Sequence, residues 1–273
     1  MKFTMRNKIL KRLAIVIIGL AIFSIGFYFF WLSPRYSVPI LTYHSFDYEK
    51  GLLSVSPENF ERQMRYIKNK GFNVISFDEF VEGIKKKRTF AHNTVVITID
   101  DGYKNNFTYA YPVLKKYGFP ATIFLATNSI GTNADYLNWD EVKEMSKNNI
   151  SFGGHTKSHV YLPLVVDESV LWDEIAGSKK AIEEHIGIPV DYFCYPSGGF
   201  TGRVKMLVKK AGYRGACTTN QGSDRLNRAD VYELNRISVR NSNPYFSFSN
   251  LSAPFRFRAK LSGYYNLFRE RIH

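Results

Sequence analysis

Between residues 37 and 240, short apolar runs alternate with amphipathic stretches, and no segment repeats at a fixed period. The runs at 38–43, 73–76, 95–99, 121–126, 150–153, 192–195, 215–218 and 235–239 read as strands, because each is brief and rich in β-branched or aromatic residues. The stretches between them read as helices. Ser56-Pro57 is a cap followed by a first-turn proline, opening a helix that runs to about residue 70 and stops at Gly71. Further helices are predicted over 78–84, 105–117, 139–147, 168–185 and 203–211, with Gly118, Gly187 and Gly212 ending three of them. Alternation of this kind predicts an α/β fold with a mostly parallel sheet and helical crossovers. Seven or eight such strands make a distorted (β/α) barrel, with its chemistry at the C-terminal ends of the strands.

The segment 13–32 has a different pattern: 20 residues without a charge. At about 1.5 Å per residue, a helix of that length matches the hydrocarbon layer of a bilayer, so one transmembrane helix is predicted ahead of the barrel. Its apolar stretch exceeds the h-region of a cleaved signal, and WLSPRYSVP offers no A-x-A-like site. Lys2, Arg6, Lys8, Lys11 and Arg12 precede it, while only Arg35 follows closely. The positive-inside rule then puts residues 1–12 in the cytoplasm and everything after about Ser33 outside, with Tyr28, Phe29, Phe30 and Trp31 where the helix leaves the lipid. The expected organisation is a basic N-terminus at 1–12, an anchor at 13–32, a barrel domain at 33–240 and a basic aromatic tail at 241–273.

The chain carries a net charge of +13 over 273 residues, which by itself would admit a nucleic-acid partner. Six of the excess basic residues lie within the first 36 and a net +4 lies in the last 23, leaving +3 in between. The expected domain therefore has no basic face, and with a location outside the cytoplasm nucleic acid is not expected as a partner. Hydrophobic residues at 45% and charged residues at 22% are ordinary for a packed core, and two cysteines are too few for a disulfide scaffold.

If the strand ends hold the chemistry, two of them stand out. The run 95–99 leads into Asp100-Asp101-Gly102-Tyr103, where adjacent carboxylates suit one metal ligand and one general base, although Asp-Asp-Gly is also a turn signal. The run 150–153 leads into Gly154-His155-Thr156-Lys157-Ser158-His159, whose histidines, four apart, either share a metal or are two exposed loop residues. One carboxylate and two imidazoles from separate strand ends would leave coordination positions open for water and substrate.

At these residues the sequence resembles the polysaccharide deacetylases with NodB homology. Thr98-Ile99-Asp100-Asp101-Gly102 is similar to that family's T-F-D-D-G motif, and His155-Thr156-Lys157-Ser158-His159 matches H-[ST]-x-x-H. Phe193-Cys194-Tyr195-Pro196-Ser197-Gly198 resembles R-x-P-Y-G, with Cys194 in place of the arginine and Ser197 in place of the tyrosine. The segments 38–44 and 234–237 resemble the branch acting on biofilm poly-N-acetylglucosamine. The resemblance implies a metal-dependent N-deacetylase of an N-acetylated polysaccharide. Asp101, His155 and His159 would hold a divalent metal, zinc foremost, and Asp100 would take a proton from the attacking water. The oxyanion would be met in the Tyr195, Pro196, Ser197 segment by a backbone N–H near Ser197. The family's L-x-H motif supplies a general acid, but here Leu234-Asn235-Arg236 has arginine in that position, a poor proton donor near neutral pH. His44, ending the first strand, is the candidate for that role or for substrate binding. Arg236 is the candidate to replace the missing arginine and orient Asp100. Peptidoglycan or another acetylated glycan is the alternative substrate. The rival from another class is a catalytically weak glycan-binding module, against which the retention of all four of Asp100, Asp101, His155 and His159 argues.

Three further features admit two readings each. Cys194 and Cys217 fall on neighbouring strands and either pair as a disulfide or pack as small apolar side chains. Trp139 either stacks on sugar or anchors a helix start. The aromatic, basic tail either lies at a membrane interface or packs on the barrel.

Overall fold

In the computed structural model, residues 2–28, 38–48, 51, 53–91, 93–224, 226 and 229–239 are described; the tail beyond them, with its two readings, lies outside the described residues. The chain divides into two compact units, 1–35 and 36–273. The first contains helix α1, Lys2–Phe27, whose stretch Leu10–Phe27 is long and apolar enough to cross a membrane. Its side chains from Leu10 onward are exposed almost without exception. Residues 29–32 of the expected span, including Phe29, Phe30 and Trp31, lie outside the described residues.

The second unit alternates strands and helices in the expected order. Its strands are β1 (Ile40–Tyr43), β2 (Asn73–Ile75), β3 (Thr94–Ile99), β4 (Ala121–Leu125), β5 (Ile150–Gly154), β6 (Tyr192–Cys194), β7 (Gly215–Gln221) and β8 (Leu234–Ser238). All pairings between them are parallel, in the order β1-β8-β7-β6-β5-β4-β3-β2, and β1 also pairs with β3. The ring therefore closes through seven strands. β2 stays outside it because one edge of β3 is shared: Thr94–Val96 pair with β2, whereas from Val96 onward β1 takes over.

The helices are α2 (Pro57–Asn69), α3 (Phe77–Lys85), α4 (Tyr111–Tyr117), α5 (Trp139–Ser146), α6 (Glu168–Trp172), α7 (Ser178–Ile186) and α8 (Gly202–Lys210). Ser56 caps α2 by accepting the Asn59 N–H, and Gly118 and Gly187 end α4 and α7 in the left-handed conformation that residues with a Cβ avoid. Two expected helices are not uniform. The stretch 105–117 opens with a π-turn at Asn106–Ala110, and Pro112 has no N–H with which to continue the α ladder back to Thr108. The stretch 168–185 is α6 and α7 joined through a second π-turn, Asp173–Gly177.

All six side chains of β3 are buried, which is why the run is β-branched throughout and carries no charge on either face. Leu41, Val95, Ile97 and Ile99 join the larger apolar cluster beneath the helices, while Ile40, Val96, Phe124, Cys194, Cys217 and Leu234 form a second one. Each fully buried aliphatic side chain contributes roughly 1.5–3 kcal/mol relative to exposure. The period-2 alternation that puts Val96 and Leu234 in the second cluster carries on to Thr98 and Asp100 from β3 and to Arg236 in β8.

Candidate active site

The C-terminal strand ends surround a cleft of about 380 Å³, lined among others by His44, Asp100, Asp101, His155, His159, Ser197 and Arg236. Asp100 follows β3 directly and its N–H donates to Tyr43 O at 2.9 Å. Asp101 and Gly102 then take φ values of 74° and 81°, a tight turn that brings two successive carboxylates to one cleft. The turn signal and the functional signal in Asp-Asp-Gly are thus the same feature.

Asp100 is clamped by Arg236. Nη1 donates to Oδ1 at 2.7 Å and Nη2 to Oδ2 at 2.6 Å, and each side chain is 1% exposed. The guanidinium is itself held by Nε to Thr218 O at 2.8 Å, by Nη1 to Thr98 Oγ1 at 3.1 Å and by Nη2 to Cys194 Sγ at 3.0 Å. Burial pushes the Asp100 carboxyl up, but Arg236 outweighs it and holds the group below its ordinary pKa. Cys194 leaves room for this arrangement. Its thiol pKa is raised well above the ordinary value by burial, and it and Cys217, directly opposite on β7, are both free. The disulfide reading is thereby replaced by two buried thiols.

Asp101 faces the two imidazoles. His155 Nε2 lies 3.4 Å and His159 Nε2 3.3 Å from Asp101 Oδ1, and that buried oxygen has no hydrogen-bond partner. His155 Nδ1 is 2.7 Å from the Cys194 carbonyl, which can only accept, so Nδ1 carries a proton and Nε2 is the ring atom turned toward Asp101. Three donor atoms within 4.8 Å of one another, one an orphaned carboxylate oxygen, suit a divalent cation between them. The same site favours positive charge in another way: burial lowers the His155 pKa, yet Cys194 and Asp101 outweigh it and hold the imidazole well above its ordinary value. Burial also pushes Asp101 up, and His155 and His159 outweigh it and hold the carboxyl well below the usual range.

His44 follows β1, with Nε2 3.7 Å from Asp100 Oδ2 and its side chain 13% exposed. Burial lowers its pKa and Asp100 offsets this only in part. Of the third-motif residues, Ser197 alone lines the cleft, at φ 52°, with its carbonyl accepting from Thr219 Oγ1 at 3.1 Å. Tyr195 is not brought there: its ring is buried, its hydroxyl donates to Tyr232 O at 3.1 Å and its N–H to Cys217 O at 3.1 Å. Pro196 is buried and has no N–H, so within this segment Ser197 is left as the backbone donor. Trp139 begins α5 and stacks on His185 with ring centroids 3.8 Å apart, packed against the core rather than lining the cleft. Thr219, Gln221 and Ser238 also line the cleft, and no feature of the sequence singled them out.

A parallel barrel that gathers carboxylates and imidazoles at its C-terminal strand ends defines a class of barrel sites equipped for proton transfer or metal binding. Comparison with known proteins narrows this class. The family model described as Polysaccharide deacetylase matches residues 87–216. YxkH of Bacillus subtilis (strain 168), which carries the polysaccharide deacetylase name, is 32% identical over 202 residues, covering 74% of this chain and 71% of that protein. The poly-beta-1,6-N-acetyl-D-glucosamine N-deacetylase of Staphylococcus aureus (strain MSSA476) is 28% identical over 191 residues, 66% of each chain. Among solved structures, the Streptococcus pyogenes deacetylase PplD in complex with acetate superposes with a TM-score of 0.72 at 26% identity, covering 78% of this chain and 98% of that one. The chain belongs to the polysaccharide deacetylase family.

Proposed function

We propose that this protein is a metal-dependent N-deacetylase of an extracellular N-acetylglucosamine polymer, with poly-β-1,6-N-acetylglucosamine as the favoured substrate. The observation that carries the reading is the pairing of an orphaned Asp101 oxygen, set against two imidazole Nε2 atoms, with an Asp100 carboxylate clamped beside it by Arg236. Asp101, His155 and His159 would hold the ion, zinc being the cation best matched to one carboxylate and two imidazoles. A bound ion would supply Lewis-acid polarisation of water and of the acetamide carbonyl.

The chain's own residues account for the rest. Asp100, ionised because Arg236 outweighs burial, accepts the proton of the attacking water. Water oxygen bonds to the acetamide carbon, and the Ser197 N–H meets the charge that develops on the carbonyl oxygen. His44, with a lowered pKa, rests neutral at neutral pH; 3.7 Å from Asp100 Oδ2, it is placed to take up that proton and deliver it to the leaving nitrogen. The C–N bond breaks, giving acetate and a free amine on the sugar.

The Staphylococcus aureus relative's name supports the β-1,6 polymer. Leu10–Phe27, preceded by basic residues, supports an anchor that leaves the barrel outside the cytoplasm. The test is acetate release by the full chain in detergent, with and without added zinc, from β-1,6 and β-1,4 oligomers of N-acetylglucosamine. Zinc-dependent release favouring the β-1,6 series is expected. Release from β-1,4 oligomers alone would redirect the substrate, and release from neither would leave glycan binding as the reading.

A further inference from the structure

The two imidazoles of the cleft are held by different means. His155 follows β5 directly and is 2% exposed; its N–H donates to Leu125 O at 3.0 Å and its Nδ1–H to Cys194 O. His159 stands four residues further along a loop with its side chain 41% exposed. The loop is strained at both ends, since Thr156 has φ 62° and His159 φ 58°, values that a β-branched or bulky residue keeps only when its surroundings impose them.

One carboxylate imposes them from below. Glu174 Oε2 accepts the N–H groups of both Lys157 and Ser158 at 2.9 Å, and Oε1 accepts the Ser158 hydroxyl at 2.5 Å. From the other side, the Asn128 N–H donates to Lys157 O at 2.8 Å and the Thr127 N–H to Thr156 O at 3.2 Å. Glu174 belongs to the π-turn Asp173–Gly177 between α6 and α7, the widened turn in what the sequence pattern alone reads as one helix. Such single π-turns recur at functional sites because they re-aim a side chain that a regular helix would direct elsewhere.

Taking Asp101, His155 and His159 as the holders of a divalent ion, we propose that Glu174 is a positioning residue for that centre. It fixes Lys157 and Ser158 and thereby holds His159 at its place beside Asp101. It touches neither the ion nor the substrate. Without it the loop spreads over conformations in most of which His159 is out of reach, and the apparent affinity falls by the fraction of time the site is assembled. Partners one step removed from metal ligands typically change affinity by about tenfold to a hundredfold.

The test is zinc affinity of the full chain in detergent, measured by competition with a chromophoric chelator and so independent of turnover. Glu174→Ala should weaken zinc binding by about tenfold to a hundredfold. Glu174→Gln should stay close to the unaltered protein, because its amide oxygen still accepts both N–H groups and its amide nitrogen can donate to the Ser158 hydroxyl. Asp173→Ala, which removes only the exposed ion pair to Lys157, should have little effect. In a His159→Ala background the Glu174→Ala loss should largely vanish, since the ligand it positions is already gone. Should Glu174→Ala not fold, Glu174→Met keeps the side-chain stem without an acceptor and should show the same loss. Unchanged affinity in the folded variant, or an equal loss with and without His159, would overturn the assignment. An unaltered protein with no affinity for zinc would instead overturn the metal reading on which it rests.

Discussion

Arg236 and Asp100 form a bidentate pair wholly inside the barrel, with both N–O distances at or below 2.7 Å and neither side chain more than 1% exposed. Two facts of covalent geometry make this possible: β8 places Arg236 one alternation above Leu234, and Cys194 on β6 is short enough to leave the guanidinium its space. A planar fork meeting a carboxylate fixes the carboxylate's rotation as well as its charge. Asp100 is thereby held with Oδ2 also turned toward His44. The pair contributes orientation more than stability, because desolvating both charges offsets most of their attraction.

Arg236→Lys should therefore be impaired in turnover despite keeping the charge, since an ammonium cannot reproduce the fork. Arg236→Met removes the charge. Burial, which raises the Asp100 pKa, then loses its strongest opponent, so the acidic limb of the rate profile should move to higher pH. The stability consequence has a definite sign. Asp100 is depressed in the folded state, so its stabilising contribution is present above the unfolded carboxylate pKa and is lost as pH falls through the folded value. Leaving one partner of such a pair unpaired costs about 3–5 kcal/mol, and a melting-temperature series from pH 7 downward should show the Arg236→Met protein less stable at neutral pH and flatter toward acid. A profile that does not move would reject the orienting role.

The two neighbouring carboxylates should separate cleanly. Asp101→Asn should weaken zinc binding, because the orphaned oxygen loses its charge, whereas Asp100→Asn should keep zinc and lose most acetate release. Zinc content by elemental analysis and acetate release on the same preparations distinguish them. The opposite pattern would exchange the two roles.

The residues legible in the sequence are those whose signal is local. Asp100-Asp101-Gly102 and His155 to His159 lie within a few positions of each other, and the strand preceding each announces which end of the barrel it reaches. Arg236 was legible as a departure, an arginine where the resembled family has histidine, and the fold supplies its partner 136 residues away. What could not be read is what depends on distant register. β2 lies outside the ring because β1 and β2 divide one edge of β3, and a run of apolar residues carries no mark of that division. Tyr195 follows its strand as the site residues do, yet its ring turns into the core against Phe193 and Phe200. Glu174 looks like any solvated helical glutamate until the π-turn directs it under the histidine loop.

The membrane reading has its own test. A reporter fused after His273 should be active only outside the cytoplasm, and the protein should remain with membranes after high-salt washing, because Leu10–Phe27 is of spanning length and the basic residues precede it. Recovery of a shortened, soluble chain beginning near Ser37 would mean a cleaved leader instead.

His44 provides the sharpest separation of roles in the cleft. It lies outside the proposed ligand set, and its Nε2 is 3.7 Å from Asp100 Oδ2, so His44→Ala should leave zinc affinity intact while lowering turnover by about a hundredfold to ten-thousandfold, the usual worth of a placed proton donor. Burial lowers its pKa, so at neutral pH the ring begins uncharged and has to gain its proton within the cycle. A substrate whose leaving amine is made less basic needs that proton less, and the gap between His44→Ala and the unaltered protein should narrow on such a substrate. Arg236→Met should show no such narrowing, because its defect lies at the base that activates water. A His44→Ala protein with a raised KM and an unchanged kcat would show that the imidazole binds the sugar and does not donate the proton. Near-native activity in both variants would reject this division of labour while leaving Asp101, His155 and His159 as the proposed metal ligands.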